Sequence, residues 1–224
     1  MEWDTVRTLI RPQLLSCRAN QRLLSKLVCR RFHDLAIVYA VHVDFRSESS
    51  SIYIKRRLFE SWGISEEELH RQALKNMEAD GYGIQDLSEI LVGENSFPAW
   101  KDESPMAVLT NRKRMYGASG ILLGSMLKDY AEKMGMDLFL IPFSIHEFLL
   151  VPDDGKVTQD MLDFMVREVN GTQVREEDRL SDHAYYYDRE AGQIEMEKKV
   201  PIENAGEDDY FEGLIGALGL SGAV

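Results

Sequence analysis

Ser144, His146 and Glu147 lie within four consecutive positions of the stretch IPFSIHEFLLVPDDG. A serine, an imidazole and a carboxylate are the groups of acyl-transfer catalysis, in which a base takes the serine proton and a third group orients that base. The spacing argues against a local triad. On an extended strand, residues two apart share a face with side chains about 7 Å apart, too far for direct proton transfer, and Glu147 points the other way. No G-x-S-x-G elbow surrounds Ser144. The three residues are expected to finish a hairpin, with Ser144 in a turn hydrogen bond and His146 half-buried at the strand mouth.

His146 and Glu147 begin an H-E-x-x-H pattern, but the position of its second histidine is Leu150. His33, His42, His70 and His183 stand at no ligand-like spacing, so neither a metal nor another cofactor is expected. The stretch LTNRKRMYGASG sets Arg112, Lys113 and Arg114 before a small-residue helix start, where unpaired N–H groups and the helix dipole favour an anion. It matches neither the Walker pattern nor G-x-G-x-x-G. It reads either as a solvated basic turn, with Gly117 supplying an unusual backbone angle, or as an anion site. Tyr185, Tyr186 and Tyr187 alternate on a strand. With Asp182, Asp188 and Glu190 beside them, they are expected to fill a core and not to stack on bases.

These residues need elements to position them. Ile10, Leu14, Leu15, Leu23, Leu24, Leu27 and Val28 recur at helix-like spacing, which predicts helix over residues 1–28. On that reading Arg7, Arg11, Arg18 and Arg22 share a face, interrupted at Pro12. DLAIVYAVHVDF predicts a strand buried on both faces. SESSS predicts a turn, and IYIKRRL the returning strand. Ser65 and Glu68 form a capping box for a helix to about Met77. Residues 78–104 read as a loop carrying one small helix at IQDLSEIL.

PMAVLTN predicts a short strand, and YGASG leads from it into a helix closed by Gly135. MDLFLIPF and HEFLLVP predict two strands joined tightly around Ser144. Thr158 caps a helix with the stripe Met161, Leu162, Met165, Val166 and Val169, closed by Asn170-Gly171. HAYYYD and QIEMEK predict a last hairpin. The irregular order of elements implies α+β, a mainly antiparallel sheet packed against several helices, with an N-terminal helical segment. The expected division is residues 1–30 as that segment, 31–200 as one domain, and 201–224 as an acidic then apolar tail.

At 224 residues the chain can bury about 70% of its unfolded surface and needs no disulfide or metal to hold a core. Its net charge of −12 argues against a nucleic-acid partner. Seven Arg or Lys against Glu2 and Asp4 give residues 1–31 a charge of +5, which leaves −17 for the remainder. Cys17 and Cys29 fit neither a disulfide framework nor a zinc site, and Cys29 reads as a small buried hydrophobe. No run of about 18 apolar residues predicts a membrane span, and a reducing, cytoplasmic setting is expected.

FHDLAIVY, WGISEEELHRQALKN, VLTNRKRMYGAS, FSIHEFLLVPD and VREVNGTQVREEDRLSDHAYYYDRE together resemble a bacterial family of unknown function. Its members carry L-T-N-x4-Y-G-A followed by S-x-H-E-x-x-L-V-P-D. The resemblance spans residues 4–198 and places family motif positions on Asn111, Tyr116, Gly117, Ala118, Ser144, His146, Glu147, Asp153, Asn170, Asp182 and Tyr186. It implies no activity. Members are longer at the N-terminus, so this chain is expected to be a shortened copy. Its first 30 residues would then leave an apolar surface for self-association or for a protein partner.

Three functions are compatible with these residues. The foremost is a cytoplasmic, non-enzymatic interaction or accessory protein. The alternative is an enzyme or a small-ligand or anion-binding domain, with Asn111, Arg112, Tyr116, Ser144, His146, Glu147 and Asp182 around its site. The third is an acidic mimic of nucleic acid.

Overall fold

The computed structural model of the protein describes residues 1–45, 48–87 and 106–198. The chain forms an α+β fold with, among the described residues, two antiparallel sheets. In the first, β3 (Leu35–Phe45) pairs along one edge with β1 (Ile10–Ser16). Its other edge is shared end to end by β2 (Cys29–Phe32), against Leu35–Val38, and β4 (Glu48–Tyr53), against Ala40–Phe45. The second sheet has six strands in the order β10-β9-β7-β8-β6-β5. Its strands are β5 (Tyr82–Asp86), β6 (Ala107–Asn111), β7 (Leu138–Ser144), β8 (Glu147–Pro152), β9 (Tyr185–Asp188) and β10 (Gln193–Glu195).

Alternation along the strands sorts their side chains into three clusters. Leu35, Ile37, Tyr39 and Val41 of β3 enter the main core with Leu109, Leu138, Leu140, Phe148, Leu150, Tyr185 and Tyr187 of the six-stranded sheet. Ala36 and Val38 face the other way, into a small cluster with Leu15 and Leu27. The second face of the large sheet presents Phe139, Ile141, Leu149, Val151 and Tyr186 to α6 (Gln159–Thr172). That helix answers with Leu162, Met165, Val166 and Val169, spaced as one helical face requires. The three tyrosines thus divide between the two cores, as their alternation predicts.

Two helix starts follow from capping chemistry. The Glu68 N–H donates to Ser65 Oγ (3.1 Å) at the head of α4 (Glu66–Met77), and the Met161 N–H donates to Thr158 Oγ1 (3.3 Å) ahead of α6. Alanine at either cap is expected to cost about 1 kcal/mol, read as a lowered chemical-denaturation midpoint. Unchanged midpoints would deny these side chains their capping role.

The structure has a helix at the N-terminus but corrects the helix predicted over all of residues 1–28. Short helices exist at α1 (Trp3–Val6) and α2 (Gln21–Leu24), but Ile10–Ser16 is strand β1. Ile10 and Leu14 are four apart, an offset that keeps two residues on one face of a helix and of a strand alike. Pro12 is tolerated because β3 is the one strand that β1 pairs with among the described residues. The arginine face is therefore not formed. Arg11 instead makes a two-pronged ion pair with Asp80 (2.6 and 3.0 Å), and Arg7 lies 3.6 Å from Asp4.

Two other segments differ. SESSS belongs largely to β4, and the expected strand at IYIKRRL ends at Tyr53; Arg56–Trp62 is helix α3, closed by Gly63 at φ 67°. The serine-rich run owes its strand to the ladder that β3 offers, which overrides weak intrinsic preference. Within 78–104, Tyr82–Asp86 is strand β5, so the helix expected at IQDLSEIL is replaced by strand in its first three residues. Leu87 is helical, and residues 88–91, like the tail at 201–224, lie outside the described residues. Among the described residues no helix is long and apolar enough to cross a membrane.

Candidate functional site: the loop after β6 and the cavity beside it

Strand β6 is buried throughout and ends at Asn111. The Asn111 side chain then clasps its own loop: Nδ2 donates to the Met115 carbonyl (2.8 Å), and Oδ1 accepts from the Met115 N–H (3.2 Å). Inside this clasp Arg114 and Tyr116 both take left-handed backbone angles, φ 51° and 54°. Such angles cost a non-glycine residue about 1–3 kcal/mol and persist only where the surroundings impose them.

Gly117 follows and begins the 3-10 turn Gly117–Leu122, which leads into α5 (Gly124–Met134). The turn lies so close on β6 that a Cβ at Gly117 would stand 2.3 Å from Thr110 Oγ1, 2.5 Å from the His146 carbonyl and 2.8 Å from the Asn111 nitrogen. Gly120 is confined in the same way by Leu109 and Tyr82. The phrase Y-G-A-S-G is thus a packing device: left-handed turn, close approach, close approach.

The β7–β8 hairpin is fastened to this turn. The Tyr116 N–H donates to His146 Nδ1 (3.1 Å), Thr110 Oγ1 donates to the His146 carbonyl (2.9 Å), and the Ala118 N–H donates to the Ile145 carbonyl (3.3 Å). His146 Nε2 lies 3.8 Å from Asp178 Oδ1. Asp178, 8% exposed, is gripped by Arg175 at 2.9 and 2.8 Å, and its carbonyl accepts the Ile145 N–H. Ser144 Oγ accepts the backbone N–H of His146 (3.1 Å), and Glu147 pairs with Ser144 across the hairpin. With Nδ1 occupied by a backbone donor and the serine oxygen bound to backbone, Ser144 and His146 have the geometry of a turn and not of a nucleophile with its base.

The structure therefore brings Asn111, Tyr116, Ser144 and His146 together. It does not add Asp182, whose carboxylate accepts from Asn170 Nδ2 (3.1 Å) and faces Arg18 on the surface (3.9 Å). Asp178 is the carboxylate beside His146. It sits in an acidic run whose local spacing singles out no member.

Beside the loop lies a cavity of about 350 Å³. Arg11, His42, Ser51 and Asp80 line one side, and Asn111, Arg112, Lys113 and Tyr116 the other. Tyr116 stands between two imidazoles, its ring 5.7 Å from those of both His42 and His146, and its hydroxyl accepts from Ser51 Oγ (3.4 Å). Behind His42, fully buried Gln13 places Nε2 2.8 Å from His42 Nε2, while its Oε1 has no partner among the described residues. Arg11 is paired with Asp80 at 2.6 Å. Arg11, His42, Ser51 and Asp80 are invisible as site residues in sequence, because each comes from a distant element. A second hollow of about 340 Å³ lies against Gly81, Gly83, Gln85, Thr110 and Arg114, and again against Asn111 and Arg112.

Two further polar clusters serve the cores. Tyr185 donates to Asp34 Oδ1 (2.5 Å), and His183 Nε2 lies 3.3 Å from Asp34 Oδ2, tying β9 to the start of β3. Burial pushes the Asp34 carboxyl up, but the hydrogen bonds from His183 and Tyr185 outweigh it and hold the group below its ordinary value. The same bond to Asp34 raises His183 against the opposing effect of burial. On the other face, the single hydroxyl proton of Tyr186 serves both Asp137 (2.8 Å) and Asp153 (2.9 Å), with the Lys198 ammonium 2.5 Å from Asp153. Burial first, then these two carboxylates, push the Tyr186 phenol far up. Among the described residues no group of three or more histidine, cysteine, aspartate or glutamate side chains is placed to hold a metal.

Fold and site together define an α+β protein whose phrases N-x4-Y-G-A and S-x-H-E build one loop-and-hairpin junction beside a polar cavity. The profile of a family of unknown function, DUF5688, matches residues 1–189, and the chain belongs to that family. No curated protein and no solved structure matches it.

Proposed function

We propose that this protein binds a small anionic ligand in the cavity between the Asn111–Tyr116 loop and the four-stranded sheet, as a binding domain of the bacterial cytoplasm. The supporting observation is the lining. Arg112 and Lys113 stand on a loop clamped in a costly backbone conformation, with Asn111, Tyr116, His42 and Ser51 as hydrogen-bonding groups and, among the described residues of the lining, one carboxylate, Asp80, paired with Arg11. Few polar groups converging on a concave, preformed site are what fixed recognition of a small anion requires. Free thiols at Cys17 and Cys29 fit the reducing compartment.

The expected result is a titration by calorimetry in which inorganic phosphate or a phosphate monoester binds the native chain, and Arg112→Ala weakens binding about tenfold or more, the cost of a lost charge-assisted pair. Equal affinities of native chain and variant would remove the cavity from consideration.

A second reading, an accessory protein that contacts a protein partner or a second copy of itself, draws on exposed apolar side chains. Leu9, Val43 and Ile52 are 41%, 38% and 53% exposed at one end of the four-stranded sheet. Light scattering on the calorimetry samples separates the two readings: a concentration-dependent mass without anion binding favours the second.

A further inference from the structure

We infer that the ligand carries two anionic groups, one on each side of Arg112; the inference rests on the anion-binding reading above. The cavity and the second hollow are of nearly equal size, about 350 and 340 Å³, and the residues that line both are Asn111 and Arg112. Each has a cation of its own besides: Lys113 on the cavity side, Arg114 on the other. Arg114 itself takes a left-handed backbone angle, φ 51°.

The second hollow exists because of two glycines. Gly83 and Gln85 share a face of β5, Gly81 precedes the strand at a left-handed φ of 66°, and no atom stands within 4 Å of where a Cβ of Gly83 would be. At Gly81 the missing Cβ is replaced by the Arg112 guanidinium, whose Nη2, Nε and Cζ lie 3.1, 3.2 and 3.3 Å from the position it would take. The guanidinium is laid flat over backbone between the two spaces. Arg112 has no ion-pair partner among the described residues. A planar group with five fixed donors can bind oxygens along more than one edge, which a point-like ammonium in the same place could not do with fixed geometry. A single small anion would occupy one hollow and engage one edge of the Arg112 guanidinium. A bis-anion, with phosphate or carboxylate at both ends, uses both.

The test is calorimetric titration of the full chain with inorganic phosphate, diphosphate and fructose 1,6-bisphosphate, in the native form and as Arg114→Gln and Arg112→Gln, with circular dichroism confirming that each variant is folded. The expected result is that at least one of the two bis-anions binds the native chain about tenfold tighter than phosphate or better, because the second contact is made intramolecularly. Arg114→Gln brings the bis-anions back to the affinity of phosphate, and Arg112→Gln weakens all three. Phosphate binding with no advantage for either bis-anion, or an advantage that survives Arg114→Gln, overturns the inference and leaves the anion site standing. Failure of all three probes to bind overturns the anion reading itself, and this inference with it.

Discussion

Gly117→Ala is expected to be among the most damaging single substitutions in this protein, lowering stability by about 3 kcal/mol, at the upper end of what overpacking costs. One added methyl group would meet three atoms at 2.3 to 2.8 Å, and two of them, the His146 carbonyl oxygen and the Asn111 nitrogen, are backbone. Neither can swing aside as a side chain would. Relief requires the 3-10 turn to lift from β6, which breaks the Tyr116–His146 and Ala118–Ile145 hydrogen bonds and opens the cavity wall. The same substitution at Gly124, where nothing stands within 4 Å of the added carbon, is the control and should leave the denaturation midpoint nearly unchanged. Equal midpoints for Gly117→Ala and Gly124→Ala would show that the turn can retreat from the strand at no cost.

Asp34→Ala is expected to cost about 2–3 kcal/mol, because it strips a buried tyrosine hydroxyl and a charged histidine of their shared acceptor. The loss depends on pH in a defined way. His183, raised by Asp34, contributes stability that is fully present below its unfolded pKa of about 6.5 and is lost as pH rises through its higher folded value. Asp34, lowered in the fold, contributes stability present above its unfolded value of about 3.9 and lost as pH falls through its lower folded value. The difference between native chain and variant is therefore widest between about pH 4 and 6.5. It narrows above that window without vanishing, since the neutral Tyr185 hydroxyl still donates to Asp34. Urea denaturation at pH 5.5 and at pH 8.5 checks it, and a difference that grows with pH would contradict the arrangement.

Elements whose signals are local could be read from sequence. The α4 and α6 starts follow from Ser65 and Thr158, the α6 stripe from its period, and the β7–β8 hairpin from two apolar runs meeting at Ser144. Strand β1 could not be read, because Ile10 and Leu14 satisfy either period and what decides between them is the ladder with β3, more than twenty residues away. The site divides along the same line. Asn111, Tyr116, Ser144 and His146 lie in two short phrases and were legible. Asp178 is held to His146 through folding of the intervening chain. Arg11 and Asp80 are 69 positions apart, and Asp34 and Tyr185 are 151 apart. Nothing in either neighbourhood marks such partners, and the acidic surroundings of Asp182 offered a plausible wrong one.

Strand β3 is shared by three neighbours, β1 along one edge and β2 and β4 in tandem along the other. Side-chain direction alternates with every residue, so sliding β3 by one position would turn Leu35, Ile37, Tyr39 and Val41 out of the main core and drive Ala36 and Val38 into it. Three separate ladders would have to accept that error together, at edges reached by chain segments of different lengths. The strand therefore works as a keyway: it admits its partners at one setting or not at all. The cavity inherits that indexing, since His42 and Ser51 reach Tyr116 from facing positions on β3 and β4.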